Sequence, residues 1–228
     1  MSGSHIPQRT QSRANHAVDR AITAFRAGEP ILVHDHEDRE GETDLFYPAK
    51  SVTPMDVVRL RNDAGGLICV ALGHNVAEAW DLPFLGDEVS HPAAGDEHRG
   101  YDDRSSFSLS VNHRDTHTGI TDEDRALTLS ELGTLATAPE RVAFADVFQV
   151  PGHVHLLRAA RNDLDDRHGH TELAVALARA AGQPPAAVVC EMLDDSTGGA
   201  LSSEAARAYG NKHDIPYVEG TDIIGVLN

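Results

Sequence analysis

The chain has 228 residues with 36 acidic against 19 basic side chains, a formal charge of −17 with histidine neutral, which suits one large domain or two small ones. Apolar residues make up 40%, enough for a core and too many for a disordered tail. A surface this negative repels phosphate backbones and anionic headgroups, so neither nucleic acid nor a membrane is expected as a partner.

Residues 1–16 read as a flexible N-terminal segment ahead of a single domain over 17–228. Ala17 to Arg26 places Ala21, Ile22 and Phe25 at helical spacing and ends near Gly28, a helix with a glycine stop. Pro30 to Val33 is a short β-type run, and β character resumes over Asp44 to Ala49, so the charged segment between them joins two strands. Thr53-Pro54 opens a helix with a threonine N-cap and proline at N1. Leu67 to Leu72, after Gly65-Gly66, reads as a buried strand. The polar stretch from Gly86 to Ser106 is too long for an ordinary connection and reads as a lid or insertion.

Phe107 to Val111 alternates like a strand with one buried face, and Thr121 to Ala136 is a helix with acids in its first turn. A tight turn is expected at Val150-Pro151-Gly152, then a strand over Val154 to Leu157. Thr171 to Ala181 is the strongest helix, and Ala187 to Glu191 repeats the buried-strand pattern. A helix over Ser202 to Tyr209, then Tyr217-Val218 and Ile223 to Leu227, close the chain. Helices and strands interleave without linker or repeat, which predicts one α+β domain with a mixed sheet.

Only two basic residues are lysines, Lys50 and Lys212. Abundant acid with so little lysine resembles proteins of a salt-loaded cytoplasm, where screening relieves repulsion. Arginine bias from a GC-rich genome is the alternative, and it leaves the acid excess unexplained. Cys69 and Cys190 are too few for a disulfide framework or zinc spacing. The N-terminus has no apolar targeting run and no segment approaches the roughly 18 apolar residues of a membrane span, so a reduced cytoplasmic compartment is expected.

Five features carry chemistry. His34 to Asp44 packs Asp35, Glu37, Asp38, Glu40, Glu42 and Asp44 into eleven residues. Repulsion there calls for a divalent cation or a proton on a carboxylate, unless the segment is only a solvated loop. Arg39 neutralises its neighbours or faces an anionic substrate. In Arg167 to Glu172, an arginine, backbone N–H groups and the positive end of a helix dipole converge on an anion site, with Thr171 as cap and His170 able to bind a metal. An ordinary N-cap with a surface histidine is the alternative.

Pro151-Gly152-His153 presents His153 at the mouth of a strand, or is simply a turn. Glu191 ends a buried strand, where partial burial suits a base, or is a solvated terminus. The Thr118-Gly119 turn offers a hydroxyl and N–H groups to a phosphate, with Asp124 and Arg125 pairing or capping. Cys69 reads as core packing first and a pocket thiol second.

Taken in order, DREGETD, GGLICVAL, FSLSVN, THTGITDEDR, PGHVHLLR, RHGHTELAVALARAAG and AVVCEMLDD resemble the 3,4-dihydroxy-2-butanone 4-phosphate synthases of riboflavin biosynthesis, from about residue 17 to about 225. The most specific pieces are Arg39 to Asp44, Arg167 to Thr171, and Cys190-Glu191. The resemblance implies a lyase converting D-ribulose 5-phosphate into 3,4-dihydroxy-2-butanone 4-phosphate and formate with Mg²⁺ or Mn²⁺, two ions per site. It implies a three-layer α/β/α sandwich and a homodimer.

Glu40 and His170 would ligate the metal, and Arg167, Thr171 and Thr118 would hold the phosphate. Arg39 and Asp44 would contact the sugar, with His168, Gly169 and Glu191 also lining the substrate, while Glu42, His153 and Glu191 would handle protons. His117 and the length of Gly86 to Ser106 depart from the family pattern. No cysteine cluster of a fused cyclohydrolase follows, which implies a monofunctional enzyme. A metal-dependent isomerase or aldolase on another sugar phosphate is the alternative, and an RNA-binding module is disfavoured by an aromatic content of 5% and the acidic charge.

Overall fold

The computed structural model describes residues 8–35, 41–92 and 104–228. Helix α1 spans Gln8–Arg26 and leads into strand β1 (Ile31–His34), which forms an antiparallel pair with β2 (Thr43–Pro48). The acidic segment therefore does join two strands. Helix α2 (Pro54–Arg59) continues into a π-helical turn, Leu60–Ala64, stopped by Gly65 at φ 84°. Strand β3 (Cys69–Leu72), α3 (His74–Ala79), α4 (Leu85–Glu88), β4 (Phe107–His113) and α5 (Asp122–Leu135) follow. Then come α6 (Phe144–Val147), β5 (Phe148–Arg158), α7 (His170–Ala180), β6 (Ala186–Glu191), α8 (Ser203–His213), β7 (Tyr217–Glu219) and α9 (Gly220–Leu227).

The strands form one mixed sheet in the order β4-β5-β3-β6-β2-β1-β7. Strand pairs β3/β5 and β1/β7 are parallel and the other four antiparallel. Side chains alternate across a strand, and here both faces are apolar. Leu45 and Tyr47 of β2 and Val188 and Cys190 of β6 join a core with Val57 of α2 and Leu129 and Leu132 of α5. Phe46, Val189 and Ala71 point the other way, into a core with Val18 and Phe25 of α1, Leu173 and Leu177 of α7, and Ile223 of α9. Two helical layers around one sheet result, as a three-layer sandwich requires. Burial on both faces explains why β3 and β6 read as continuous apolar runs.

The structure corrects the sequence reading in three places. Helix α1 begins at Gln8, whereas the apolar spacing starts the helix at Ala17. Ser12, Arg13, Asn15 and His16 are exposed, and good helix formers such as Gln, Ala and Arg extend the helix beyond its apolar stripe. Pro151-Gly152-His153 is no turn between elements but lies inside the eleven-residue β5. The register passes from Val111↔Val154 to Asn112↔Gln149, leaving residues 150–153 as a bulge that aims His153 away from the regular ladder. Thr171 does not cap α7: Gly169 is the N-cap and the helix begins at His170. The C-terminal apolar residues, to which the sequence assigns no element type, form helix α9. Of the Gly86 to Ser106 stretch, residues 93–103 fall outside the described residues.

Candidate active site

The site is built where the C-terminal end of β6, the start of β2 and the N-terminus of α7 meet. Asp44 and Glu191 are direct partners across the β2/β6 ladder. Directly opposed side chains share a face with Cβ atoms about 5 Å apart, and like charges in that position repel. Asp44 is buried, at 1% exposure, and its Oδ2 lies 3.9 Å from His170 Nδ1 in the first turn of α7. Glu191 is half-buried and its Oε2 accepts the Leu67 N–H at 2.8 Å. Gly66 makes this seat possible, since a Cβ there would lie 2.5 Å from both Glu191 Oε2 and the Glu191 carbonyl oxygen.

Beside this pair the ends of the acidic segment are held together. His34 Nδ1 lies 3.0 Å from Thr43 Oγ1. The Glu42 N–H donates to Asp35 Oδ1 at 3.1 Å while the Asp35 N–H donates to the Glu42 carbonyl at 3.0 Å. Glu42 is thereby fixed at the mouth of the segment. Arg39 and Glu40 lie outside the described residues, and among the described residues no group of three or more metal-binding side chains converges. Two pairings are present instead, Asp44 opposite Glu191 and Asp44 beside His170, and carboxylates and imidazole are donors that divalent cations accept. A cation would also relieve the opposed charges, so the residues present fit such an ion.

At the α7 end, Arg167 Nη1 lies 3.2 Å from Glu172 Oε2 and also donates to Ser106 Oγ. Glu172 is completely buried. Burial pushes its carboxyl up, opposed by the Arg167 guanidinium and the Ala160 N–H, which donates to Oε1 at 2.9 Å. Thr171 is also fully buried, and its Oγ1 has no hydrogen-bond partner among the described residues. His168 is exposed and Gly169 buried. Arginine, hydroxyl and the N–H groups of a helix start thus stand together, the composition of an anion site.

The loop before α5 forms a network of its own. The Asp124 carboxylate accepts N–H groups of His117 at 3.1 Å, Thr118 at 3.0 Å and Gly119 at 2.8 Å, and the Thr118 hydroxyl at 3.2 Å. Desolvation works upward on Asp124, but these donors overcome it and hold the carboxyl at about 2. The N–H groups expected to face a phosphate, and the Thr118 hydroxyl with them, therefore donate to Asp124. Across β4, Asn112 Oδ1 lies 2.8 Å from the His153 backbone N and 3.2 Å from His153 Nδ1. Neither Asn112 nor Glu172 was singled out in the sequence, since an amide in an alternating strand and an acid in a first helical turn carry no motif of their own.

Cys69 and Cys190 are buried free thiols, pushed up first by burial and then by Glu191. They pack the core and are not poised as thiolates. The cleft of 710 Å³ lined by His16, Arg20, Arg59 and His213, between α1 and the end of α8, shares no residue with this site.

A family model for 3,4-dihydroxy-2-butanone 4-phosphate synthase matches residues 19–226. The chain belongs to this family. A 3,4-dihydroxy-2-butanone 4-phosphate synthase from Methanosarcina mazei is 48% identical over 224 residues, 92% of this chain and 91% of its own length. One from Archaeoglobus fulgidus is 47% identical over 219 residues, 90% of this chain and 92% of its own. Among solved structures, a 3,4-dihydroxy-2-butanone 4-phosphate synthase in complex with two magnesium ions matches with a TM-score of 0.78 at 33% identity, over 91% of this chain and 94% of that one. The Candida albicans 3,4-dihydroxy-2-butanone 4-phosphate synthase matches at 0.76 and 30%, over 92% and 97%. The chain is thus an enzyme of riboflavin biosynthesis, and the isomerase or aldolase alternative is not favoured.

Proposed function

We propose that this chain converts D-ribulose 5-phosphate into 3,4-dihydroxy-2-butanone 4-phosphate and formate, with two Mg²⁺ or Mn²⁺ ions. The observation that carries the reading is the opposed Asp44–Glu191 pair with His170 beside Asp44: two carboxylates and an imidazole at one sheet end next to an anion-binding helix start.

Removing a proton next to the ketose carbonyl needs a base, and losing the carbon 1 hydroxyl needs an acid. A set of carboxylates and imidazoles offers groups for both roles. Glu191, Glu42 and His153 are the proton-handling groups in this reading. Asp44 and Arg39 orient the sugar hydroxyls. Arg167, Thr171 and Thr118 seat the phosphate, with His168 and Gly169 lining the substrate. Glu40 and His170 would hold the metal, which supplies Lewis-acid stabilisation of charge on substrate oxygens.

The resemblance also supports a homodimer. Among the described residues no helix is long and apolar enough to cross a membrane, and the acid excess supports a salt-rich cytoplasm as the working solvent.

Glu191→Gln and His153→Gln test the assignment. Each variant should keep its fold and lose formate release by about a hundredfold or more, the scale of general acid–base catalysis. Unchanged turnover in both would remove them from the chemistry.

A further inference from the structure

We propose that Asn112 is a positioning residue that sets the tautomer of His153 and ties it to the Thr118-Gly119 turn. This rests on the lyase reading in which His153 moves protons.

A backbone N–H can only donate, so the side-chain atom of Asn112 that lies 2.8 Å from the His153 nitrogen is its carbonyl oxygen, Oδ1. The same oxygen lies 3.2 Å from His153 Nδ1. An amide oxygen only accepts, so the ring proton of neutral His153 sits on Nδ1 and the lone pair sits on Nε2. His153 is exposed beyond this contact, which leaves Nε2 as the nitrogen able to take a proton from a substrate.

Asn112 is itself 5% exposed and has no room to swing. Gly119, at φ 82°, packs on the opposite side of the amide, where an added Cβ would lie 2.0 Å from Nδ2. Gly119 is held in turn through its N–H by Asp124. A continuous chain of contacts, Asp124 to Gly119 to Asn112 to His153, thus runs from the start of α5 to the bulge in β5. It sets the distance between the Thr118 hydroxyl and the His153 imidazole.

The test uses the full chain with Mg²⁺. Long-range ¹H–¹⁵N NMR on histidine-labelled protein reads the tautomer, with His153→Gln assigning the resonance. Wild type should show Nδ1 protonated and Nε2 bare. Asn112→Leu, equal in size without an acceptor, should lose this preference and lower kcat about a hundredfold while KM for ribulose 5-phosphate stays within about threefold. Asn112→Asp keeps an acceptor and should restore both the tautomer and most of kcat. If Asn112→Leu does not fold, Asn112→Ser, whose hydroxyl is too short to reach Nδ1, carries the same expectation.

A wild-type tautomer and kcat in Asn112→Leu or Asn112→Ser would overturn the proposal, as would an Asn112→Asp variant no better than Asn112→Leu. Failure of the wild type to release formate would strike the lyase reading instead, and the tautomer comparison would still decide the role of Asn112.

Discussion

Gly119 and Gly182 offer a matched pair of substitutions. Both have positive φ, 82° and 72°, but a Cβ on Gly119 would sit 2.0 Å from Asn112 Nδ2 whereas one on Gly182 meets nothing within 4 Å. Placing alanine in the left-handed region costs about 1 to 2 kcal/mol at either position. The entropic effect of alanine on the unfolded chain is common to both and cancels in the comparison. At Gly119 the buried Asn112 amide must also move, which breaks its two contacts to His153 at about 1 kcal/mol each.

Gly119→Ala should therefore lose about 3 to 4 kcal/mol against about 1 to 2 for Gly182→Ala. For a domain of this size about 2 to 4 °C of Tm accompanies each kcal/mol. Thermal unfolding should place Gly119→Ala about 4 to 8 °C below Gly182→Ala. Formate-release kinetics should show Gly182→Ala unchanged and Gly119→Ala reduced in kcat by at least about tenfold, equivalent to some 1.4 kcal/mol. Equal Tm and equal activity in the two variants would refute the coupling of the turn to His153.

Three further outcomes are expected. Because Asp124 is held at about 2, below its ordinary 3.8, its contribution to stability is full above that ordinary value and is lost as pH falls through about 2; Tm of Asp124→Asn should therefore vary less than wild type between these values, and parallel curves would contradict it. Glu172→Gln keeps an acceptor for the Ala160 N–H but removes the ionic partner of Arg167. The protein should fold and its KM for ribulose 5-phosphate rise about tenfold, the worth of about 1.4 kcal/mol, whereas an unchanged KM would show that Glu172 does not orient Arg167. If the acid excess is an adaptation to salt, Tm and activity should fall together as molar KCl is diluted, with full retention of both in dilute buffer counting against it.

The apolar stripes made most of the fold legible. Leu129 and Leu132 mark α5, Leu173 and Leu177 mark α7, and the uninterrupted Ala-Val-Val-Cys of β6 announces a strand buried on both faces. The start of α1 was hidden because Gln, Arg and Ala sustain a helix without an apolar face. The reach of β5 through Pro151 was hidden because a bulge depends on the neighbouring strand: Gly152 must leave room for the Val111 backbone, which a Cβ would approach to 1.9 Å, and that contact spans forty-one residues of sequence. In the candidate site, Asp44, His170 and Glu191 are legible because they stand in segments that resemble the family's motifs. Asn112 and Glu172 are not, since their roles exist only through the partners that the sheet and α7 bring to them.

The central claim is tested most directly by ¹³C NMR of the purified protein with ribulose 5-phosphate labelled at carbon 4, with Mg²⁺ and again with EDTA. Labelled formate appearing with Mg²⁺ and vanishing with EDTA is the predicted result. A consumed sugar that yields no labelled formate, or a substrate left untouched in the presence of Mg²⁺, would contradict it.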